Sequence, residues 1–258
     1  MSAAPRKRSR NGAPPPARAD WAFFFDVDGT LLALAEHPAH VRTDDEVRSI
    51  LRELHRGAGG ALALISGRSI DEIDALFAPL RFPAAGQHGM ERRDPCGAMQ
   101  RHVQHSPRLA ELRHRLTPIA ARHPGVLLED KGLTLAIHYR RAPRLAGYLG
   151  RRLREGLDHA EDLRVQRGKM VLEVKPGGRD KGSAILEFMS EPPFRGRIPV
   201  FLGDDVSDEF GFSVVNELGG HSIKVGAGAT RARWRLSGVG AVRRWLGDCV
   251  AALNPAPD

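Results

Sequence analysis

The stretch FFFDVDGTLL, from Phe23 to Leu32, places two aspartates and a glycine directly after an apolar run. A strand that runs into Asp-x-Asp needs a reason, because burying an unpaired carboxylate is costly. One interpretation is a strand that ends in an ordinary polar turn. The other is that Asp26 and Asp28 share a cation and a reacting group, and the rest of the chain distinguishes the two.

The composition indicates a soluble globular protein. The chain has 258 residues, of which 41% are hydrophobic and 27% charged, enough to bury a sizeable core. No apolar run approaches the roughly 20 residues that span a bilayer, and no hydrophobic segment follows the basic N-terminus as in a secretory signal. Cys96 and Cys249 provide no disulfide framework. We therefore expect a cytoplasmic protein with no membrane partner.

The formal net charge of +8 raises the possibility of nucleic-acid binding. Five basic side chains lie within residues 1–19, a Pro/Ala-rich segment that we predict to be a disordered tail: Arg6, Lys7, Arg8, Arg10 and Arg18. Because a charge bias supplies attraction without base readout, we predict no nucleic-acid partner.

Hydrophobic patterning predicts a Rossmann-like α/β core. WAFFFDV and ALALIS are short apolar runs without alternation, typical of strands buried on both faces. Helices follow each of them, and their starts are predicted from the capping-box pairs Thr43/Glu46 and Ser69/Glu72. The order strand, helix, strand, helix favours a parallel sheet with right-handed crossovers.

A different pattern occupies residues 92–175. Its strands TLAIHYR, LRVQ and KMVLEVK alternate in polarity and are interleaved with two amphipathic helices. Alternation is typical of a sheet with one exposed face. We therefore predict an inserted α+β domain at 92–175, with the core formed by 20–91 and 176–258.

Reactive side chains follow three of the buried strands: Asp26 and Asp28, then Ser66, then Asp204 and its neighbours Asp205 and Asp208. In an open parallel sheet the ligand site lies beyond the carboxyl ends of the strands. A single aspartate there is more often a turn or cap residue, and Asp208 in particular fits a helix cap. Acidic clusters at two strand ends are hard to explain by capping alone.

Phosphoryl transfer through an aspartyl phosphate fits this set of residues. Asp26 is the candidate nucleophile, and Asp28 is placed to protonate the leaving oxygen and then to activate water. A hard cation such as Mg²⁺, held by Asp26 and Asp204, neutralises the negative charge that would otherwise oppose the approach of Asp26 to a phosphate dianion. Thr30 and Ser66 are candidate donors to the phosphate oxygens, and Lys181 is the candidate buried cation.

In order along the chain, DVDGT, the serine of ISGR, the lysine of GGRDKG and GDDVSDE resemble the four motifs of the haloacid-dehalogenase-like (HAD) phosphohydrolases. The resemblance implies that the Asp28 backbone carbonyl joins Asp26 and Asp204 at the metal. It also implies a supporting or water-mediated role there for Asp205 or Asp208. Ser66 and Lys181 then hold the transferring phosphoryl group. The spacing from Ser66 to Lys181 leaves room for a large cap, a variant that mostly acts on small sugar phosphates.

The inserted segment carries two Glu-x-Lys pairs, Glu129/Lys131 and Glu173/Lys175. In a strand, residues two apart point to the same face. On the sequence alone, a solvated face is the more common explanation of such pairs, and a sugar-phosphate site is the other.

Longer stretches, among them KGLTLAIHYR, EVKPGGRDKG and FLGDDVSDEFGFSVVN, resemble the trehalose-6-phosphate phosphatase family. The resemblance implies hydrolysis of trehalose 6-phosphate, the last step of trehalose biosynthesis, by a monomer that uses Mg²⁺. It implies substrate contacts from the following residues: Gly67, Arg68, His88, Glu129, Lys131, Arg140 (or its neighbour Arg141) and Glu173. His88 is interpreted equally well as a packed histidine at the junction of core and cap.

Two other functions are compatible with parts of the sequence. A phosphosugar mutase of the phosphomannomutase type shares DVDGT and a similarly placed cap, but returns the phosphoryl group to a sugar. A catalytically idle sugar-phosphate sensor or nucleic-acid binder has no need of the complete Asp/Asp/Ser/Lys/Asp set.

Overall fold

The computed structural model describes residues 13–102, 107–157 and 162–254, which form two β-sheets with seven α-helices among them. None of the described helices combines the length and the hydropathy that a membrane-spanning segment requires. The larger sheet carries the strand ends that the sequence singles out.

Eight strands form the larger sheet, in the order β12-β11-β10-β1-β2-β3-β4-β5. The first six of these run parallel to one another, and β4 and β5 extend the β3 edge in antiparallel fashion. Their bounds are β1 Trp21–Phe25, β2 Leu62–Ile65, β3 Ala84–Gly86, β4 Glu91–Arg93, β5 Met99–Arg101, β10 Ile198–Gly203, β11 His221–Val225 and β12 Trp234–Leu236.

Helices cover both faces of this sheet, which explains the uninterrupted apolar run in β1. Phe23 and Phe25 pack on one side, against α1 (Asp45–Gly57), α2 (Ile70–Phe77) and α7 (Val239–Leu253). Phe24 points to the other side, against α5 (Lys181–Met189) and α6 (Asp208–Glu217). Because successive strand residues point to opposite faces, a centre strand between two helical layers must be apolar at every position. The predicted parallel α/β core is confirmed.

The two predicted helix starts have different outcomes. Ser69 and Glu72 form the capping box of α2, as predicted. For α1 the prediction of Thr43 as the cap is wrong, because Asp44 is the N-cap and accepts the Val47 N–H at 2.9 Å. A carboxylate is as good a cap as a hydroxyl, so adjacent Thr and Asp leave the choice to the local backbone.

Four antiparallel strands form the smaller sheet, in the order β6-β7-β9-β8. They are β6 Leu127–Asp130, β7 Leu135–His138, β8 Leu163–Gly168 and β9 Val171–Pro176. Helices α3 (Pro107–Arg122) and α4 (Ala146–Gly156) pack their leucines on one face of this sheet. The opposite face is polar and is directed towards the strand ends of the larger sheet.

The division into 20–91, 92–175 and 176–258 stays a prediction. Strand pairing assigns β4 and β5 to the larger sheet, so the change from one sheet to the other comes after Arg101. Of the predicted tail, residues 1–12 lie outside the described residues. Within 13–19, Pro14 is buried and Ala17 packs against the core.

Candidate active site

The ends of three adjacent parallel strands bring the predicted core residues together. Asp26 follows β1, Ser66 follows β2 and Asp204 follows β10, and β1 pairs with both of the other strands. All three side chains are nearly inaccessible to solvent, with relative exposures of 5%, 1% and 3%. The site is therefore a buried pocket floor at the carboxyl edge of the sheet.

A lysine and two carboxylates form the centre of this floor. Lys181, the first residue of α5, donates to Asp26 Oδ1 at 2.6 Å and to Asp208 Oδ1 at 2.7 Å. Burial raises the pKa of Asp26, and the Lys181 charge only partly opposes that effect. For Lys181 burial acts to lower the pKa, but Asp208 and Asp26 outweigh it and raise the pKa. The ammonium group is thus permanently charged beside the candidate nucleophile.

Asp208 does not act as the cap of its helix. Ser207 holds the N-cap position of α6 without a side-chain hydrogen bond, and Asp208 is the first helical residue. Its Oδ2 accepts the Asp205 N–H at 2.8 Å and its Oδ1 accepts from Lys181. Asp208 therefore fixes the acidic loop (residues 204–208) and holds Lys181, so the interpretation of Asp208 as only a helix cap does not hold.

Carboxylate oxygens of Asp26, Asp204 and Asp208 lie within 4.8 Å of one another and are all buried. An all-oxygen donor set suits a hard cation such as Mg²⁺. Gly29, at φ +84°, lets the Asp204 carboxylate lie close to the turn that follows β1, because a Cβ at Gly29 would lie 2.2 Å from Asp204 Oδ2. These residues fit a divalent cation. Asp205 is not a member of this group, and its predicted metal role, like that of the Asp28 carbonyl, stays a prediction.

Asp28 is held by the arginine of the ISGR motif. Arg68 Nε and Nη2 donate to the two Asp28 oxygens at 2.6 and 2.7 Å, and Nη2 also donates to the Pro38 carbonyl at 3.1 Å. A bidentate pair of this kind is both strong and directional. Here the guanidinium group of Arg68 binds the candidate acid/base, and its predicted contact with substrate stays a prediction.

Two hydroxyl groups lie near the nucleophile in different roles. Thr30 Oγ1 donates to Asp26 Oδ2 at 3.0 Å, so in this structure it orients the carboxylate. Ser66 Oγ accepts the Arg68 N–H at 3.1 Å and lines the cleft. Since this bond uses a lone pair of Ser66, its hydroxyl proton is available to an oxygen in the cleft.

The polar face of the smaller sheet lies over this floor. Strand register places Glu129, Ala136, Glu173 and Gln166 in one row across all four strands. Glu173 and Lys175 are 6% and 7% exposed. The face is therefore covered, and the alternative of a solvated Glu-x-Lys surface does not hold for the second pair.

Glu173 joins the two sheets. Its oxygens accept from Thr134 at 2.8 Å and meet His88 Nε2 at 2.5 Å. Burial acts to raise the pKa of Glu173, but His88 and Lys131 outweigh it and hold the pKa well below its ordinary value. Burial also lowers the pKa of His88. His88 has φ +58° and follows Gln87 at φ +46°, a costly conformation that places its ring at the junction.

Gly67 explains why the His88 ring can lie there. A Cβ at Gly67 would be 2.8 Å from His88 Nε2. The predicted contact of Gly67 with substrate stays a prediction, while its lack of a side chain makes room for the junction histidine.

Lys131 reaches from the smaller sheet across the cleft to the core. Its ammonium group donates to the Gly67 carbonyl at 2.9 Å and lies 3.6 Å from Glu173 and 3.9 Å from Glu129. Burial acts to lower the pKa of Lys131, but Glu173 and Glu129 outweigh it and raise the pKa. Glu129 also accepts from His138 Nε2 at 2.8 Å.

The turn between β8 and β9 reaches the carboxylate cluster, a contact that the sequence did not predict. Lys169 in this turn donates to Asp204 Oδ2, and Arg140 Nη2 donates to the Lys169 carbonyl at 3.3 Å. Arg140 lines the cleft, whereas Arg141 is exposed. One sequence signal for Lys169 was available, since the chain has only six lysines and this one is the first residue of the predicted strand KMVLEVK.

The result is one cleft between the two sheets, partly open to solvent. One wall carries the nucleophile, the acid/base and the carboxylate cluster. The other carries carboxylate, ammonium, imidazole and guanidinium groups at hydrogen-bonding positions: Glu129, Lys131, His138, Arg140, Lys169 and Glu173.

A parallel sheet with Asp-x-Asp, Ser, Lys and an acidic loop at its carboxyl edge, under an inserted α+β unit, defines a phosphatase fold of the HAD class. A solved HAD-superfamily phosphatase from Bacteroides thetaiotaomicron shares the fold at a TM-score of 0.57 and 16% identity, covering 92% of this chain and 99% of that one. The C-terminal domain of a C. albicans trehalose-6-phosphate phosphatase does so at a TM-score of 0.80 and 22% identity, covering 93% and 99%.

Sequence comparison gives the family within that class. The trehalose-phosphatase family profile matches residues 24–239. The trehalose-6-phosphate phosphatase of Escherichia coli strain K12 is 47% identical over 242 residues, 93% of this chain and 90% of that protein. The chain belongs to the trehalose-phosphatase family.

Proposed function

We propose that the protein hydrolyses trehalose 6-phosphate to trehalose and inorganic phosphate, the last step of trehalose biosynthesis. The observation that carries the proposal is the pairing, across one cleft, of a buried aspartate–lysine centre with a polar wall of hydrogen-bonding side chains. Residues of both sheets line the cleft, so a sugar phosphate can contact both walls at once. The similarity to the E. coli enzyme along nearly the whole chain supports this substrate.

In the first step, an Asp26 oxygen attacks phosphorus while the bond from phosphorus to the sugar oxygen breaks. Asp28 gives its proton to that oxygen, so trehalose leaves as a neutral alcohol and Asp26 carries the phosphoryl group. In the structure both Asp28 oxygens accept from Arg68. Proton transfer therefore requires the Asp28 carboxyl group to turn from Arg68 towards the cleft.

In the second step, water attacks the phosphorus of the aspartyl phosphate. Asp28 takes up a water proton, the bond from phosphorus to the Asp26 oxygen breaks, and inorganic phosphate is released. Lys181 and the Ser66 hydroxyl are placed to stabilise the charge on the phosphoryl oxygens. Asp26, Asp204 and Asp208 would hold a divalent cation, which we propose is Mg²⁺, and the chemistry it would supply is neutralisation of negative charge at the reacting carboxylate and phosphate.

The wall formed by the smaller sheet is placed to select the sugar. Carboxylates accept from sugar hydroxyls, and ammonium or guanidinium groups donate to hydroxyl and phosphate oxygens. Glu129, Lys131, Arg140 and Glu173 provide both types of group on one side of the cleft. A substrate that lacks the second sugar leaves part of this buried polar wall without partners, which favours the disaccharide.

The test is release of inorganic phosphate from trehalose 6-phosphate, glucose 6-phosphate and sucrose 6-phosphate, each with MgCl₂ and with EDTA. We expect rapid release from trehalose 6-phosphate alone, loss of release in EDTA and recovery on adding excess Mg²⁺. Formation of an isomeric sugar phosphate without free phosphate would identify a mutase. Tight binding of trehalose 6-phosphate without turnover would identify a sensor.

A further inference from the structure

Lys224 is a buried lysine that the proposed mechanism does not use. It lies on β11 opposite Gly203, the last residue of β10, and is 5% exposed. Its ammonium group donates to the backbone carbonyl of Asp204. The only other lysines that contact the acidic loop within the described residues, Lys169 and Lys181, bind carboxylate oxygens.

The carbonyl that Lys224 binds is the first one after β10. Gly203 still pairs with β11, but the chain then turns into the loop that leads to α6. A buried carbonyl that leaves the sheet needs a new donor, and Lys224 provides one from the neighbouring strand. This bond fixes the peptide plane between Asp204 and Asp205.

Two features of its surroundings determine where the Asp204 carboxylate lies. Lys224 holds its carbonyl, and Gly29 leaves the space into which its carboxylate projects, since a Cβ there would lie 2.2 Å from Asp204 Oδ2. The Lys224 charge also attracts the carboxylates of Asp204 and Asp208. It reduces their mutual repulsion without itself occupying a carboxylate oxygen.

We propose that Lys224 is a positioning residue for the divalent-cation site, because it fixes the backbone of Asp204 so that the Asp26, Asp204 and Asp208 carboxylates converge on one point. This inference rests on the cation site that forms part of the proposed function. Residues that orient metal ligands typically contribute about 10- to 100-fold to metal affinity.

The experiment is calorimetric titration of MgCl₂ into the full chain without substrate, for the wild type, Lys224→Met, Lys224→Arg and Arg154→Gln. Arg154 is exposed on α4, in the helical layer of the smaller sheet, and serves as the control for a lost charge. We expect Lys224→Met to weaken Mg²⁺ binding at least about tenfold. Lys224→Arg keeps a charged donor and should retain most of the affinity, and Arg154→Gln should match the wild type.

Phosphate release as a function of Mg²⁺ gives a second readout. The Lys224→Met variant should need more Mg²⁺ for half-maximal rate and should approach the wild-type kcat at saturation. A wild-type Mg²⁺ affinity in that variant, or a lower kcat that excess Mg²⁺ does not restore, would overturn the inference. If Lys224→Met does not fold, Lys224→Ser, whose side chain is too short to reach the Asp204 carbonyl, takes its place, and unchanged Mg²⁺ affinity there overturns the inference equally. Failure of the wild type itself to bind Mg²⁺ would instead refute the proposed cation site.

Discussion

The two charged networks of the cleft differ in where their members come from. In the core network, Lys181 binds Asp26 and Asp208, all three from elements that pack on the larger sheet. In the junction network, Lys131 and Glu173 of the smaller sheet meet Gly67 and His88 of the core. The core network needs only one sheet to form, whereas the junction network exists only when the two sheets meet. We therefore assign chemistry to the first and substrate selection to the second.

The largest expected effect tests the chemical role of the core network. Asp26→Asn keeps the shape of the side chain but removes the nucleophilic carboxylate, so kcat should fall by about 10⁴-fold or more. The measurement is phosphate release from trehalose 6-phosphate at saturating Mg²⁺, with circular dichroism to check the fold. Asp248→Asn, at an exposed position on α7, is the control. A folded Asp26→Asn protein with substantial turnover would assign the nucleophile elsewhere.

The next prediction compares two buried lysines, Lys181 of the core network and Lys175 of the smaller sheet. Lys181→Met leaves Asp26 and Asp208 as buried carboxylates without their shared cation, so the free energy of unfolding should fall by about 3–5 kcal/mol. Lys175→Met should cost less, because that ammonium donates to one carbonyl, of Arg179, at 3.2 Å. Urea denaturation of both variants at pH 7 measures the difference. Equal losses would mean that burial, and not the carboxylate pair, determines the stability contributed by Lys181.

Sequence patterns predicted the core network more completely than the junction network, for a physical reason. A buried strand can be recognised from its own residues, and the carboxyl ends of parallel strands must share one edge. Asp26, Ser66 and Asp204 follow from these two facts alone. That Arg68 binds Asp28, and that Lys169 reaches Asp204, depends on how separate segments pack, which no local pattern encodes.

Short strands were the other feature that the sequence did not reveal. ERR (Glu91–Arg93) and MQR (Met99–Arg101) contain too few apolar residues to produce a strand pattern, yet both pair at the edge of the larger sheet. Lysine usage, in contrast, is a signal that the sequence does contain. In a chain where arginine is the common basic residue, five of the six lysines (Lys131, Lys169, Lys175, Lys181 and Lys224) lie in or beside the cleft.

The third prediction tests the selective role of the junction network. Lys131→Met should raise KM for trehalose 6-phosphate by about 10- to 100-fold with a smaller change in kcat, because a half-buried donor in the proposed selective wall is lost. Arg154→Gln, a lost charge at an exposed position on α4, should leave both parameters unchanged. Steady-state kinetics measures the split. A loss confined to kcat would place Lys131 with the chemical residues and remove the distinction between the networks.

The smallest expected effect is a pH dependence of stability at Glu173. The contacts with His88, Lys131 and Thr134 hold the Glu173 pKa well below the ordinary 4.5, so the unfolded chain takes up a proton there at a higher pH than the folded protein does. The stabilisation is therefore fully present above about pH 4.5 and is lost as the pH falls through the folded-state pKa.

Glu173→Gln removes this titration while keeping the size of the side chain. We expect it to lower the free energy of unfolding by about 1–3 kcal/mol at pH 7, because His88 and Lys131 lose an ionised partner. The difference from the wild type should stay constant between pH 8 and pH 6 and shrink below about pH 4.5. Urea denaturation at pH 7, 5 and 4 measures it, with Glu155→Gln at an exposed position on α4 as the control. A difference that persists unchanged at pH 4 would show that Glu173 contributes through packing, and that charge does not hold the two sheets together at this point.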